Sequence, residues 1–286
     1  MRQMVNNIEV VGKIKTINLQ EATIQDGSEV MRGDIVIEVT NEHGYNEIRF
    51  DVFTRKYTKQ GGVNTKYTAM QTVKNEYVKG DSVRVLGQMG FNEYNHKTTG
   101  DYILLNKPSL NFISRIGEEV PESSKAEFEM LIIEVKEPTQ ELKKTLITGV
   151  NVGWNDYLTV LHELTVMPEL YAQVKDYYKV NETVKVQCDI INKVEEVVED
   201  ISPAGVFGNV EPTIIRNYER ENRIVGGFMP YKADEFDDKG LALKVTETEI
   251  ANILQARKTA VQGLVKPVTS DFAATDMPFN SNDIPF

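Results

Sequence analysis

Apolar and polar residues alternate through much of the first 115 positions, the period of strands with one buried face. Ile8-Glu-Val-Val-Gly-Lys-Ile-Lys-Thr-Ile-Asn-Leu19 predicts a long first strand, with Ile8, Val10, Ile14 and Thr16 facing one way. Gly12 interrupts it and permits the bend or bulge that curls a small sheet. Asp26-Gly27 predicts a turn, Gly33–Thr40 a second strand and His43-Gly44 the next turn. In a third strand, Glu47–Tyr57, Ile48, Phe50 and Val52 should face the core. Arg49, Asp51, Phe53, Arg55 and Tyr57 then share the opposite face. A Gly/Thr-rich crossover leads to a short helix over Tyr67–Tyr77. A fourth strand, Asp81–Met89, continues into Phe91–Lys97, and a fifth, Tyr102–Ile113, follows the turn at Thr99-Gly-Asp101.

Five strands with a helix between the third and fourth is the order of an OB barrel. Pro121-Glu-Ser-Ser-Lys125 reads as a polar linker to a second such unit. Its strands fall at Phe128–Val135, Lys144–Val150, Asp156–His162 and Glu182–Ile191, and its helix runs from Pro168 to Tyr178 with proline in the first turn. An internal repeat supports duplication. Val73-Lys74, Tyr77, Asp81-Ser82 and Val83-Arg-Val85 recur 101 residues later as Val174-Lys175, Tyr178, Glu182-Thr183 and Val184-Lys-Val186. Lys107-Pro-Ser-Leu110 has a looser echo in Glu211-Pro-Thr-Ile214. The expected fold is mostly β: two tandem OB-fold barrels, residues 1–118 and 119–232, then a helical extension over 233–264 and a flexible tail over 265–286. Thr246-Glu-Thr-Glu249 forms a capping box for the helix. Its stripe of Ile250, Ile253, Leu254 and Val261, with Arg257 as a polar exception, would dock on the second barrel or pair with another subunit.

The formal charge of −11 would argue against nucleic acid if it were evenly spread. It is not. Residues 1–115 carry 15 Lys/Arg against 13 Asp/Glu, residues 116–232 carry 12 against 21, and residues 233–286 carry 5 against 9. Only the first segment is a plausible polyanion surface. Arg49, Phe53, Arg55 and Tyr57 on the third strand, with Tyr94 and Lys97 on the following hairpin, combine cations and rings as single-strand binding requires. In the second unit Trp154 and Tyr157 could stack on bases, or Trp154 could serve as an apolar anchor beside Leu158.

No segment has the apolar length of a membrane span or signal peptide, so a cytoplasmic location is expected. The lone Cys188 reads as a small core residue, and the histidines at 43, 96 and 162 are scattered, so neither a metal site nor a cofactor is expected. Gly61-Gly62 and Gly226-Gly227 lack the remaining residues of phosphate or dinucleotide loops, and no nucleophile–base pair can be assembled. The sequence therefore argues for a binding protein rather than an enzyme.

The last residues, Asp276-Met-Pro-Phe-Asn-Ser-Asn-Asp-Ile-Pro-Phe286, repeat one pattern seven positions apart. Asp283, Ile284, Pro285 and Phe286 make a stiff, amphipathic tip suited to an apolar pocket rimmed by Lys or Arg. This tip resembles the terminus of bacterial single-stranded DNA-binding proteins, the part that recruits replication and repair enzymes. Those tails carry more acids next to the Ile-Pro-Phe than the one found here. Asn7-Ile-Glu-Val-Val-Gly-Lys-Ile14 also resembles the start of that family, although its dense aromatic pattern is not reproduced over residues 6–115. The resemblance implies single-stranded DNA and proteins of replication, recombination or repair as partners. Tandem barrels with a host-like tip point to a bacteriophage-encoded accessory protein, acting in the host cytoplasm as a monomer that can assemble cooperatively on DNA. Two other readings compete: a protein-recruiting hub with degenerate barrels, and a recombination mediator or annealing protein.

Overall fold

The chain is described from a computed structural model covering residues 1–140, 143–199 and 213–264. Five strands form the first ring: β1 (Asn6–Thr23), β2 (Glu29–Asn41), β3 (Gly44–Arg55), β4 (Ser82–Asn95) and β5 (Tyr102–Arg115). β1 pairs antiparallel with both β2 and β4, β2 with β3 and β4 with β5. A parallel bridge from Asp51 of β3 to Ser109 of β5 closes the circle. α1 (Thr65–Glu76) lies between β3 and β4, as expected of an OB barrel. The Asn64 side chain caps it by accepting from the Lys66 N–H, and Tyr67, Met70 and Val73 bury one face against the barrel.

The second ring repeats this order with β6 (Ser123–Lys136), β7 (Thr145–Val152), β8 (Leu158–Val166), β9 (Thr183–Glu199) and β10 (Thr213–Gly227). It closes through parallel pairing of β10 with β8, and α2 (Pro168–Val174) lies between β8 and β9. The predicted pair of tandem barrels is the observed architecture.

Three expectations need correction. Thr16 is exposed rather than sharing the face of Ile14, because a bulge between Ile14 and Thr16 shifts the alternation by one residue. The bulge does not fall at Gly12, whose pairing with Val83 is in unbroken register; the glycine lets β1 and β2 approach, since a Cβ there would lie 2.3 Å from the Glu38 carbonyl oxygen. Ser123, Ser124 and Lys125 are not linker. They belong to β6 and pair with Val11, Val10 and Glu9 of β1.

This β1–β6 pairing joins the barrels about a local two-fold. Gly12 stands opposite Val83 and Met130 opposite Val184, so the 101-residue repeat makes Gly12 and Met130 counterparts, as are Ile8 and Ala126. Ile8 pairs with Ala126, each strand thereby meeting its own copy. Two bulges match as well: Ile14/Thr16 with Ile132/Glu134, and Leu86/Gly87 with its counterpart at Gln187/Cys188. The same register corrects the looser echo. Leu110 faces Gly87 and Ile224 faces Cys188, so the counterpart of Leu110 is Ile224, not Ile214.

α3 (Glu247–Leu264) starts with the predicted box: Thr246 N–H donates to Glu249 at 3.0 Å, and Glu249 N–H to Thr246 Oγ1 at 3.3 Å. Ile253 and Ile250 pack with Met4, Leu131, Val150 and Val152 over the second barrel. Arg257, the polar exception, crosses to the first barrel. Its Nη1 donates to Glu93 of β4 at 2.9 Å, and Tyr102 donates to the same carboxylate. Among the described residues, no helix is long and apolar enough to cross a membrane.

Candidate nucleic-acid interface

Period-two alternation in β3 sends Ile48, Phe50 and Val52 inward and Arg49, Asp51, Phe53 and Arg55 outward, as the sequence predicts. Phe53 is 57% exposed, so its ring belongs to the surface and not to the core. Cross-strand register puts Arg32 of β2 beside Phe53, Asp34 beside Asp51 and Val36 beside Arg49. The exposed Arg32 is a cation the sequence reading passed over, because Gly33 looks like the start of a strand. Gly33 instead lies within β2. Its φ is +137°, and a Cβ there would come within 1.8 Å of the Asn18 carbonyl oxygen.

Acids are interleaved with these cations. Arg49 faces Asp34 at 3.8 Å, Arg55 faces Asp26 at 3.0 Å, and Lys107 faces Asp51 at 3.5 Å. Hydrogen bonds from Ser28, and then Arg55, hold the Asp26 carboxyl below its ordinary range. Exposed pairs of this kind contribute little to stability, so a phosphate can take the place of the carboxylate without unfolding the surface. Around Phe53 the face thus combines a stacking ring with guanidinium groups, which is the chemistry of sequence-tolerant contact to single strands.

The other predicted residues lie on separate elements. Tyr57 lies just past the end of β3, in an isolated bridge to Val63, with Lys56 Nζ 5.5 Å from its ring centroid. Tyr94 is half-buried on β4 and Lys97 is exposed in the β4–β5 turn. Trp154 and Tyr157 flank the β7–β8 connection of the second barrel, 74% and 62% exposed, so Trp154 is a free ring and not an anchor on Leu158. That connection is tied by Gly153 N–H to the Tyr157 carbonyl at 2.7 Å and by Asp156 to the chain's ammonium group at 3.1 Å. Asp283, Ile284, Pro285 and Phe286 lie outside the described residues.

One cluster was invisible from sequence spacing. Glu42, His43 and Asp189 bring ligand-type atoms within 4.8 Å of one another, with His43 Nε2 2.8 Å from Asp189 Oδ2. The β2–β3 turn supplies the first two and β9 the third, so the His43–Asp189 contact fastens one barrel to the other. Cys188 is buried as predicted, and desolvation pushes its thiol well above the usual range, which makes it unreactive.

Residues 4–266 match the protein family described as YorF. No curated protein matches the chain. Among solved structures, it is similar to the wild-type single-stranded DNA-binding protein of Thermus aquaticus and to a deletion mutant of that protein. Identity is 11% and the TM-score 0.48 in both cases. The likeness covers 82% of this chain and 98% of the wild-type structure, and 84% and 100% for the mutant.

Proposed function

The chain belongs to the YorF family, and we propose that it binds single-stranded DNA without sequence preference through the outer face of its first barrel. The observation that carries this reading is Phe53, a large ring left 57% exposed in the middle of a sheet, beside Arg32 and between Arg49 and Arg55. Bases present a π-face whatever their identity, and the guanidinium groups can meet the backbone between them. In this reading Tyr57 past the end of β3, Tyr94 on β4 and Lys97 in the β4–β5 turn add contacts from separate elements, and Trp154 and Tyr157 offer a stacking site on the second barrel. The Asp283-Ile-Pro-Phe286 segment recruits a replication, recombination or repair protein in the same reading, and the combination suits a bacteriophage accessory factor. A hub that binds proteins and hardly touches DNA is the competing reading, favoured by the carboxylates that already occupy Arg49 and Arg55.

The test is fluorescence anisotropy with labelled oligothymidylate and with duplex of equal length, across a salt series. Single strands should bind more tightly than duplex. Phe53→Ala should cost about 1–3 kcal/mol of that binding, and Arg49→Ala with Arg55→Ala should reduce the log–log salt slope by up to about 1.4. Deleting residues 283–286 should leave all of these values unchanged while abolishing capture of the partner protein. Equal affinity for single strand and duplex would overturn the DNA reading and favour the hub.

A further inference from the structure

β9 and β10 run on beyond the second barrel as a two-stranded arm, paired from Asn192–Arg220 out to Glu199–Thr213. Residues 215 to 220 of β10 are all exposed, so neither face of the arm is packed on a core. Its two faces differ in chemistry. Alternation places Arg216, Tyr218 and Arg220 on one face, opposite Glu196, Val194 and Asn192 in the register. The other face carries Glu195 and Glu219, with Lys193 engaged to Glu195. Arg220 holds its guanidinium 5.6 Å from the centroid of the Tyr218 ring, which is 50% exposed, and its Nε donates to Asn192 Oδ1 at 3.3 Å.

The arm is rooted on the first barrel. Lys193 bridges Asn46 at the start of β3, and one step along each strand Asn192 stands beside Glu47 and donates to its carbonyl oxygen. Asn192 N–H also donates to Asn46 Oδ1 at 3.0 Å. Paired residues share a face, so the outward side of β3, which carries Glu47, Arg49 and Phe53, continues into the side of the arm that carries Arg220, Tyr218 and Arg216. The acidic side of the arm continues the opposite surface.

We propose that the arm is a second nucleic-acid-binding element: Arg220, Tyr218 and Arg216 prolong the first-barrel surface into one track for a single strand. The proposal rests on the reading that the β3 face binds single-stranded DNA, and it adds three residues contributed by the other barrel. Counting residues from Phe53 to Glu47 and from Arg220 to Arg216, the track is about 35 Å long. Of this, the β3 part from Phe53 to Glu47 makes up about 20 Å. A short oligomer can therefore be held by the β3 face alone, whereas a long one reaches the arm.

Anisotropy titrations of the full chain with oligothymidylates of about 4 and about 30 nucleotides separate these contributions. Arg216→Ala with Arg220→Ala should lower the log–log salt slope for the longer oligomer by about 1.4 and leave the shorter one unchanged. Tyr218→Ala should weaken the longer complex about fivefold or more, the range of a lost stacking contact. Arg216→Lys with Arg220→Lys, and separately Tyr218→Phe, should retain most binding, because charge number and ring survive. Phe53→Ala, by contrast, should weaken both lengths. Alanine variants of the arm that bind both lengths as the wild type does would overturn the track while leaving the β3 reading intact. A wild-type chain that binds neither oligomer would overturn both.

Discussion

In the first barrel Lys13, Glu38 and Glu47 form a row across β1, β2 and β3. At the corresponding points of the second barrel the row is Leu131, Val150 and Val160. One step along, Thr40 and Tyr45 are matched by Val152 and Leu158. Strand order and helix position agree between the barrels, and the one unmatched bulge among the described residues, between Ile147 and Gly149 on β7, lies outside these rows, so the exchange of polar for apolar residues is not a consequence of topology. It follows from what lies on top. α3, with Met4 and Val245, covers Leu131, Val150 and Val152, whereas the matching row of the first barrel remains half-exposed and polar. The chain has used one copy of the face to hold its own helix and left the other open. That asymmetry, more than the net charge of each half, is why the proposed single-strand surface is sought on the first barrel.

The sharpest way to break this comparison is to exchange the counterparts. Val150→Glu would put a carboxylate beneath α3, where Val150 is fully buried, and should cost about 3–5 kcal/mol in urea denaturation. Glu38→Val should change stability by about 0.5 kcal/mol or less, since nothing apolar covers that position. Similar effects from the two substitutions would mean that α3 does not distinguish the barrels.

A smaller effect is expected where α3 touches the first barrel. The Arg257 guanidinium, followed by a hydrogen bond from Tyr102, outweighs burial and holds the Glu93 carboxyl below its ordinary value of 4.5. Both side chains are about nine-tenths buried. Arg257→Ala leaves that carboxylate without its cation and should cost about 3 kcal/mol at neutral pH. The folded value is the lower one, so the contribution of the pair is complete above the ordinary carboxylate range and fades as pH falls through the folded value. The wild type should therefore lose stability relative to Glu93→Gln below about pH 4.5. Parallel stability–pH curves would show that the pair does not anchor the helix.

What could be read in advance follows the same physical divide. Strands with one covered face announce themselves: β3 alternates cleanly, and both its core residues and its outward Arg49, Phe53 and Arg55 were legible. Segments whose pairing is a matter of backbone alone were not. Ser123, Ser124 and Lys125 look like linker because their role is to hydrogen-bond β1 across the junction. The arm half of β10 is polar on both faces, so Arg-Asn-Tyr-Glu-Arg carries no alternation to mark it as a strand. Arg32 was hidden behind Gly33, a glycine placed by close approach of β1 and not by strand initiation. His43 and Asp189 are separated by 146 residues, and only the two-barrel junction brings them together.

The smallest effect should come from the second barrel's own exposed rings. Trp154 is the only tryptophan, so its emission reports on the β7–β8 connection without interference from the β3 face. At 74% exposure it starts in a water-like environment, and a base stacked on it should quench and shift that emission as DNA is added. The aspartate beside it, Asp156, and the acidic balance of this barrel work against phosphate nearby, so the contact should supplement binding and not drive it. Trp154→Phe, which keeps a stacking ring, should therefore change affinity for a long oligothymidylate by about 0.5 kcal/mol or less, and Trp154→Ala by about 1 kcal/mol. The quench should also follow the first barrel's affinity: in Phe53→Ala protein, more DNA should be needed to reach the same final signal. If emission does not change at saturation, DNA does not reach this turn, and the two barrels differ in occupancy even more than their covered and open faces suggest. A loss from Trp154→Ala larger than that from Phe53→Ala would reverse the comparison, making the helix-covered barrel the principal binder.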